Sequence, residues 1–123
     1  MITGIQDVYY NTVKPLEAKR FYTEALGLKL IYDTMHFIVF QCSDGARFAL
    51  HPADHEIVHP VGDSHGPHGG ALVTFKSDNV AEDRKRLEQH GAKILSENDA
   101  PWGHMLVFQD LDGNTLKLMR PKH

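Results

Sequence analysis

The chain has 123 residues, 41% hydrophobic and 24% charged, with 13 Lys and Arg against 16 Asp and Glu. One ordinary domain fits that length, and the formal charge of -3 excludes the basic surplus of a protein that works by neutralising nucleic-acid phosphates. No apolar run approaches the ~18 residues of a membrane helix. The first residues, MITGIQDVYY, lack a charged region followed by an apolar one, so no secretory signal is expected. A single cysteine, Cys42, forbids an internal disulfide and fits a reducing cytoplasm.

In chain order, IQDVYYN is β-branched and aromatic enough for a strand. Pro15 suits the first turn of a helix, whose apolar face would be Ala18, Phe21, Tyr22 and Ala25, with Gly27 ending it. Three short strands follow, LKLIYD, HFIVFQC and ARFALHP, the last two joined by a Ser43-Asp44-Gly45 turn. Residues 53–70 contain the His, Pro and Gly of a linker and show neither helical nor strand period. Then come a strand in ALVTFK and a helix capped by Asp78 or Asn79 and ended by Gly91. Strands KILS, MLVFQ and TLKLM complete the chain, the last two flanking an Asp112-Gly113 turn.

The two halves repeat each other. HFIVFQCSDG (36–45) and HMLVFQDLDG (104–113) share His, Val, Phe, Gln, Asp and Gly at a constant offset of 68 (104−36). Before them, GLKLIYD and GAKILSE start at Gly27 and Gly91, an offset of 64 (91−27). Four extra residues must enter the second copy, and an inserted loop at Asp99–Gly103 is the expectation. The fold class is therefore α+β: two tandem βαβββ modules, 1–52 and 71–123.

These motifs carry a resemblance. Phe21-Tyr22 before Leu26-Gly27-Leu28, Gly91-Ala92, Pro101-Trp102-Gly103 and Asp110-Leu111-Asp112-Gly113-Asn114 are similar to the vicinal oxygen chelate superfamily, the glyoxalase, bleomycin-resistance and extradiol dioxygenase group. The resemblance covers the whole chain, with Leu111 where the family's usual motif has Pro. It implies paired modules forming curved mixed sheets around a cleft, a homodimer and a small-molecule ligand. Metal-using members take His and Glu from the first and last strands of each module. Matched residue by residue, those positions fall on Asp7, Ala49, Leu72 and Lys117. A divalent ion needs carboxylate or imidazole, Ala and Leu offer neither, and an ammonium repels it. No cofactor is therefore expected in the cleft, with Asp7 and His51 the weak candidates for a ligand. The resulting function is a sequestering, bleomycin-resistance-like binding protein. The rival is a divalent-metal-dependent lyase, isomerase or dioxygenase of the same group.

The cleft is expected to be lined by Asp7, Tyr9, Ala49, His51, Leu72, Thr74, Trp102, Met105, Lys117 and Met119. If the alignment holds, Asp7 and Lys117 converge there as an ion pair in place of the metal, and they are also the candidate catalytic pair should the protein be an enzyme. A third, remote reading comes from the linker. His55-Glu56 with His59 and His65 matches the H-E-x-x-H-x-x-G-x-x-H signature of zinc hydrolases. Pro52 and Pro60 leave no room for the helix that signature needs, so a solvated loop is the expectation, with incidental Zn or Ni binding by these histidines the lesser alternative. Cys42 is expected to be structural, and the alternating charges of 82–88 a solvated helix face.

Overall fold

The computed structural model describes residues 1–57, 59–62 and 70–122. The first module runs β1 (Val8–Thr12), α1 (Pro15–Arg20), β2 (Lys29–Asp33), β3 (Ile38–Gln41) and β4 (Arg47–Pro52). The second runs β5 (Thr74–Lys76), α2 (Val80–Gln89), β6 (Lys93–Ala100), β7 (Gly103–Gln109) and β8 (Thr115–Pro121). Each module forms a four-stranded sheet of the same topology, β1-β4-β3-β2 and β5-β8-β7-β6. In both, the first strand pairs parallel with the last and the other pairs are antiparallel. The repeat extends to an irregularity, because the register shifts between Leu30 and Tyr32 and again between Ile94 and Ser96.

Pro15 occupies the first turn of α1, which widens into one π-helical turn over Phe21–Ala25. Within it the Thr23 hydroxyl donates to the Lys19 carbonyl at 2.8 Å, competing with the backbone ladder. Ala18, Phe21, Tyr22 and Ala25 are all buried, as their spacing requires. α2 is capped by Asn79, whose side chain accepts from the Glu82 amide at 3.1 Å. Gly27 and Gly91 end the two helical segments at φ +71° and +90°, backbone that a side chain at Cβ disfavours.

Three expectations change. β1 starts at Val8 rather than Ile5, because Val8 pairs with Phe48 and the partner strand itself begins at Arg47. β5 is only Thr74–Lys76, the residues that pair with Lys117–Met119. The four extra residues of the second half do not form an inserted loop. They lengthen the β6–β7 hairpin, in which Ala100 pairs with Gly103 across a two-residue turn of Pro101 and Trp102.

One core serves both modules. Tyr10, Ile38, Phe40, Phe48 and Leu50 from the first sheet pack in a single cluster with Leu106, Phe108, Leu116 and Leu118 from the second. Phe21, Tyr22 and Leu87 of the helical segments join them, and the Phe48 and Phe75 rings meet edge to face at 5.5 Å. A polar joint crosses the seam. The Tyr22 hydroxyl donates to Asp110 Oδ2 at 2.7 Å, and Asp110 Oδ1 accepts from the amides of Asp112 and Asn114 at 3.0 and 2.9 Å. The Asn114 side chain donates to the Asn11 carbonyl and accepts from the Val61 amide, each at 2.9 Å. Burial raises the Asp110 carboxyl above its usual range, the hydrogen bond from Tyr22 opposing it. The D-x-D-G-N motif is thus a structural clasp.

Candidate functional site

Side chains alternate across a strand, so residues whose neighbours enter the core point the other way. In the first sheet that opposite, open face carries Tyr9 on β1, Val39 on β3, and Arg47, Ala49 and His51 on β4. In the second it carries Thr74 on β5, Met105 and Val107 on β7, and Thr115, Lys117 and Met119 on β8. Because both sheets give their inner faces to one core, the two open faces lie outside it.

The first open face has a defined floor. Ala49 is fully buried between Tyr9 and Val39, its direct neighbours across the sheet. Tyr9, Phe37 and His51 form a triangle of rings, with centroids 5.5, 6.1 and 5.9 Å apart. Tyr9 and Tyr32 are nevertheless 54% and 55% exposed. This leaves aromatic area open on a sheet face. His51 Nδ1 lies 2.8 Å from the His36 carbonyl. A carbonyl only accepts, so Nδ1 bears the proton and Nε2 of the neutral ring is an acceptor.

The sequence-derived residues divide between the two faces. Tyr9, Ala49 and His51 gather on the first, with Asp7 immediately before β1 and two residues from Tyr9. Thr74, Met105, Lys117 and Met119 gather on the second, with Leu72 just before β5. Trp102 stands at the hairpin tip, 59% exposed, rather than in an inserted loop. Within one chain, among the described residues, no ion pair joins Asp7 to Lys117. They belong to different sheets, each on the face turned away from the shared core. Phe37, Tyr32 and Arg47 were not foreseen. HFIVF is apolar at four of five positions, so periodicity alone could not assign Phe37 to a face.

The linker motif does not take the geometry a zinc hydrolase requires. Residues 55–57 and 59 contain no helix, so His55 and His59 do not project from successive turns of one. His65 lies outside the described residues, as does the rest of 63–69. Cys42 is half-buried, and burial followed by the Asp44 charge raises its thiol above the usual range. A hollow of about 560 Å³ lined by Leu16, Arg20, Phe21 and His90 lies on the helix side, away from both open faces.

Paired βαβββ modules, each a four-stranded sheet with its first strand parallel to its last, define a class of α+β protein. The chain belongs to the glyoxalase/bleomycin resistance protein/dioxygenase superfamily, whose family model matches residues 4–118. No curated protein matches it. Among solved structures, it is similar to a glyoxylase/bleomycin resistance protein/dioxygenase domain from Frankia sp. EAN1pec. That match has 23% identity and a TM-score of 0.76, covering 100% of this chain and 95% of the other. A glyoxalase family protein from Bacillus anthracis matches with 20% identity and a TM-score of 0.75, over 99% and 98% of the two chains. The fosfomycin resistance protein FosX from Listeria monocytogenes, solved as a mutant with Mn(II) and 1S,2S-dihydroxypropylphosphonic acid, matches with 16% identity. Its TM-score is 0.77, over 99% and 93%.

Metal use by such a neighbour raises the question of fit. At the four family positions this chain offers one carboxylate, Asp7, then a methyl, an isobutyl group and an ammonium. Among the described residues no group of three or more His, Cys, Asp or Glu side chains is placed to hold an ion. That donor set does not suit Mn(II) or Zn(II), which take several carboxylate or imidazole ligands.

Proposed function

We propose that this protein binds a small organic molecule without metal, in clefts formed when two copies bring the first open face of one against the second open face of the other. The observation that carries the reading is the ring cluster on the first face: Tyr9, Phe37 and His51 in mutual contact, with Tyr9 more than half exposed. Exposed aromatic area beside an imidazole is a surface on which a flat apolar group can rest. His51 Nε2 supplies an acceptor for a ligand donor, and Lys117 from the other copy supplies a cation for a ligand oxygen. The exposed Tyr9 and Tyr32 favour pairing, since an aromatic sheet face left in water is costly. Asp7 and Lys117 then meet only across the two copies.

The test is made on untagged protein. Elemental analysis after dialysis should find no stoichiometric metal in the cleft, and Mn(II) should leave the melting temperature unchanged. The double variant Leu72→His with Lys117→Glu should gain Mn(II) binding that depends on Asp7. Stoichiometric metal lost on Asp7→Asn in the wild-type background overturns the reading.

A further inference from the structure

The seam between the modules holds a second pocket, about 240 Å³, within one chain. Its walls include Val8, Phe48, Val73 and Phe75, and its polar groups are Arg47, Lys76, Asp44, Thr74 and Cys42. The volume lies below the range of sites for drug-sized ligands, so its occupant is small.

Arg47 is the unusual member. Its Nε is buried and has no hydrogen-bond partner among the described residues. A guanidinium N–H withdrawn from water and left unpaired is destabilising, and native structures seldom keep one without an occupant that satisfies it. Neither Arg47 nor Lys76 takes part in an ion pair among the described residues. Asp44, the one carboxylate in the wall, uses Oδ1 to accept from the Ala46 amide at 3.0 Å. The two cations come from different modules, Arg47 from β4 and Lys76 from β5, and together they outnumber the single acid. Guanidinium forks match planar or tetrahedral oxyanions, and an ammonium adds a point charge.

We propose that this pocket is a binding site for a small oxyanion, a carboxylate or phosphate carrying a short apolar body, at the end of the open face that carries Arg47 and distinct from the Tyr9, Phe37 and His51 cluster. The guanidinium gives the directional bonds, Lys76 closes the charge from the facing module, and Phe48 and Phe75 receive the apolar part.

The experiment is a titration of the isotopically labelled full chain, at constant ionic strength in chloride, with inorganic phosphate, acetate and benzoate in turn. The nitrogen–proton spectrum reads Arg47 Nε and the amides of residues 73–76. A saturable shift at these positions is expected. Arg47→Gln and Lys76→Gln should each weaken it roughly tenfold or more, while Asp44→Asn should tighten it by removing a like charge. Benzoate binding above phosphate assigns an organic carboxylate, and the reverse order a phosphate. Lys76 is exposed on a short edge strand, so Lys76→Gln decides the matter should Arg47→Gln fail to fold. Shifts that rise linearly with all three anions, or that survive Lys76→Gln unchanged in a folded spectrum, overturn the proposal.

Discussion

Removing Asp110 tests the reasoning about the clasp most directly. Its carboxylate receives four donors: the Tyr22 hydroxyl at 2.7 Å, the Asp112 and Asn114 amides at 3.0 and 2.9 Å, and the Asn114 side chain at 3.3 Å. Asp110→Ala strands these donors in a site where Tyr22 and Asn114 are almost wholly buried. A hydrogen bond to a charged group contributes about 1.5–3 kcal/mol, and each stranded donor costs about 1–3 kcal/mol. Relaxation and water entry recover part of that, so the expected loss is about 3–5 kcal/mol. Tyr22→Phe removes one donor and leaves three, and should cost about 1.5–3 kcal/mol. The double variant should fall short of the sum by about 1 kcal/mol or more, because the second change removes a partner already lost. Urea unfolding followed by far-ultraviolet dichroism measures all four corners of the cycle. Additivity within about 0.5 kcal/mol would refute the claim that the motif clasps the modules through this bond.

The remaining predictions address charge, faces and assembly. His104 Nε2 sits 2.6 Å from Glu97 Oε2 and Nδ1 lies 3.3 Å from Asp99 Oδ1, and these hydrogen bonds, Glu97 foremost, raise its pKa above 6.5. The stabilising contact is complete below pH 6.5 and is lost as the pH rises through the raised value, so an imidazole titration should show an elevated midpoint that Glu97→Gln lowers. Neighbouring residues on β8 should behave oppositely: Leu116→Ala should cost about 2–5 kcal/mol and Lys117→Ala within about 0.5 kcal/mol in denaturant melts. Light scattering should give twice the 13.9 kDa of one chain, and Tyr9→Glu with Tyr32→Glu should return it to the single value. A single-chain mass for the wild type at micromolar concentration would defeat the paired-cleft reading.

The architecture was legible because it is written twice. The offset of 68 placed Ala49 and Lys117 at equivalent levels of two sheets, and β1 and β5 pair beside them as the repeat requires. Strand ends were less legible, since they depend on where a partner stops: Ile5 has strand character but nothing opposite it. The extra residues before His104 looked like a loop because Pro101 and Gly103 are turn formers, yet a two-residue turn needs only that much and the rest pairs. Sequence names the candidate cleft residues one at a time, and what it could not supply was which of them share a surface. That depends on how two sheets turn about one core. Arg47 was hidden for a similar reason, because burial of its Nε without a partner depends on the tertiary packing.

The proposed placement of recognition on the sheet faces that the core does not use would have an evolutionary consequence. Tyr9, Tyr32, Thr74 and Lys117 contribute little to the shared core, so exchanging them alters what is held without spending much folding stability. Phe48, Leu116 and the Asp110 clasp have no such freedom, since each supports both modules at once. Selection on the ligand and selection on the fold therefore act on alternate residues of the same strands. A lineage built this way can change its chemistry in single steps while its backbone stays recognisable, even where identity to structural neighbours has fallen to 16–23%.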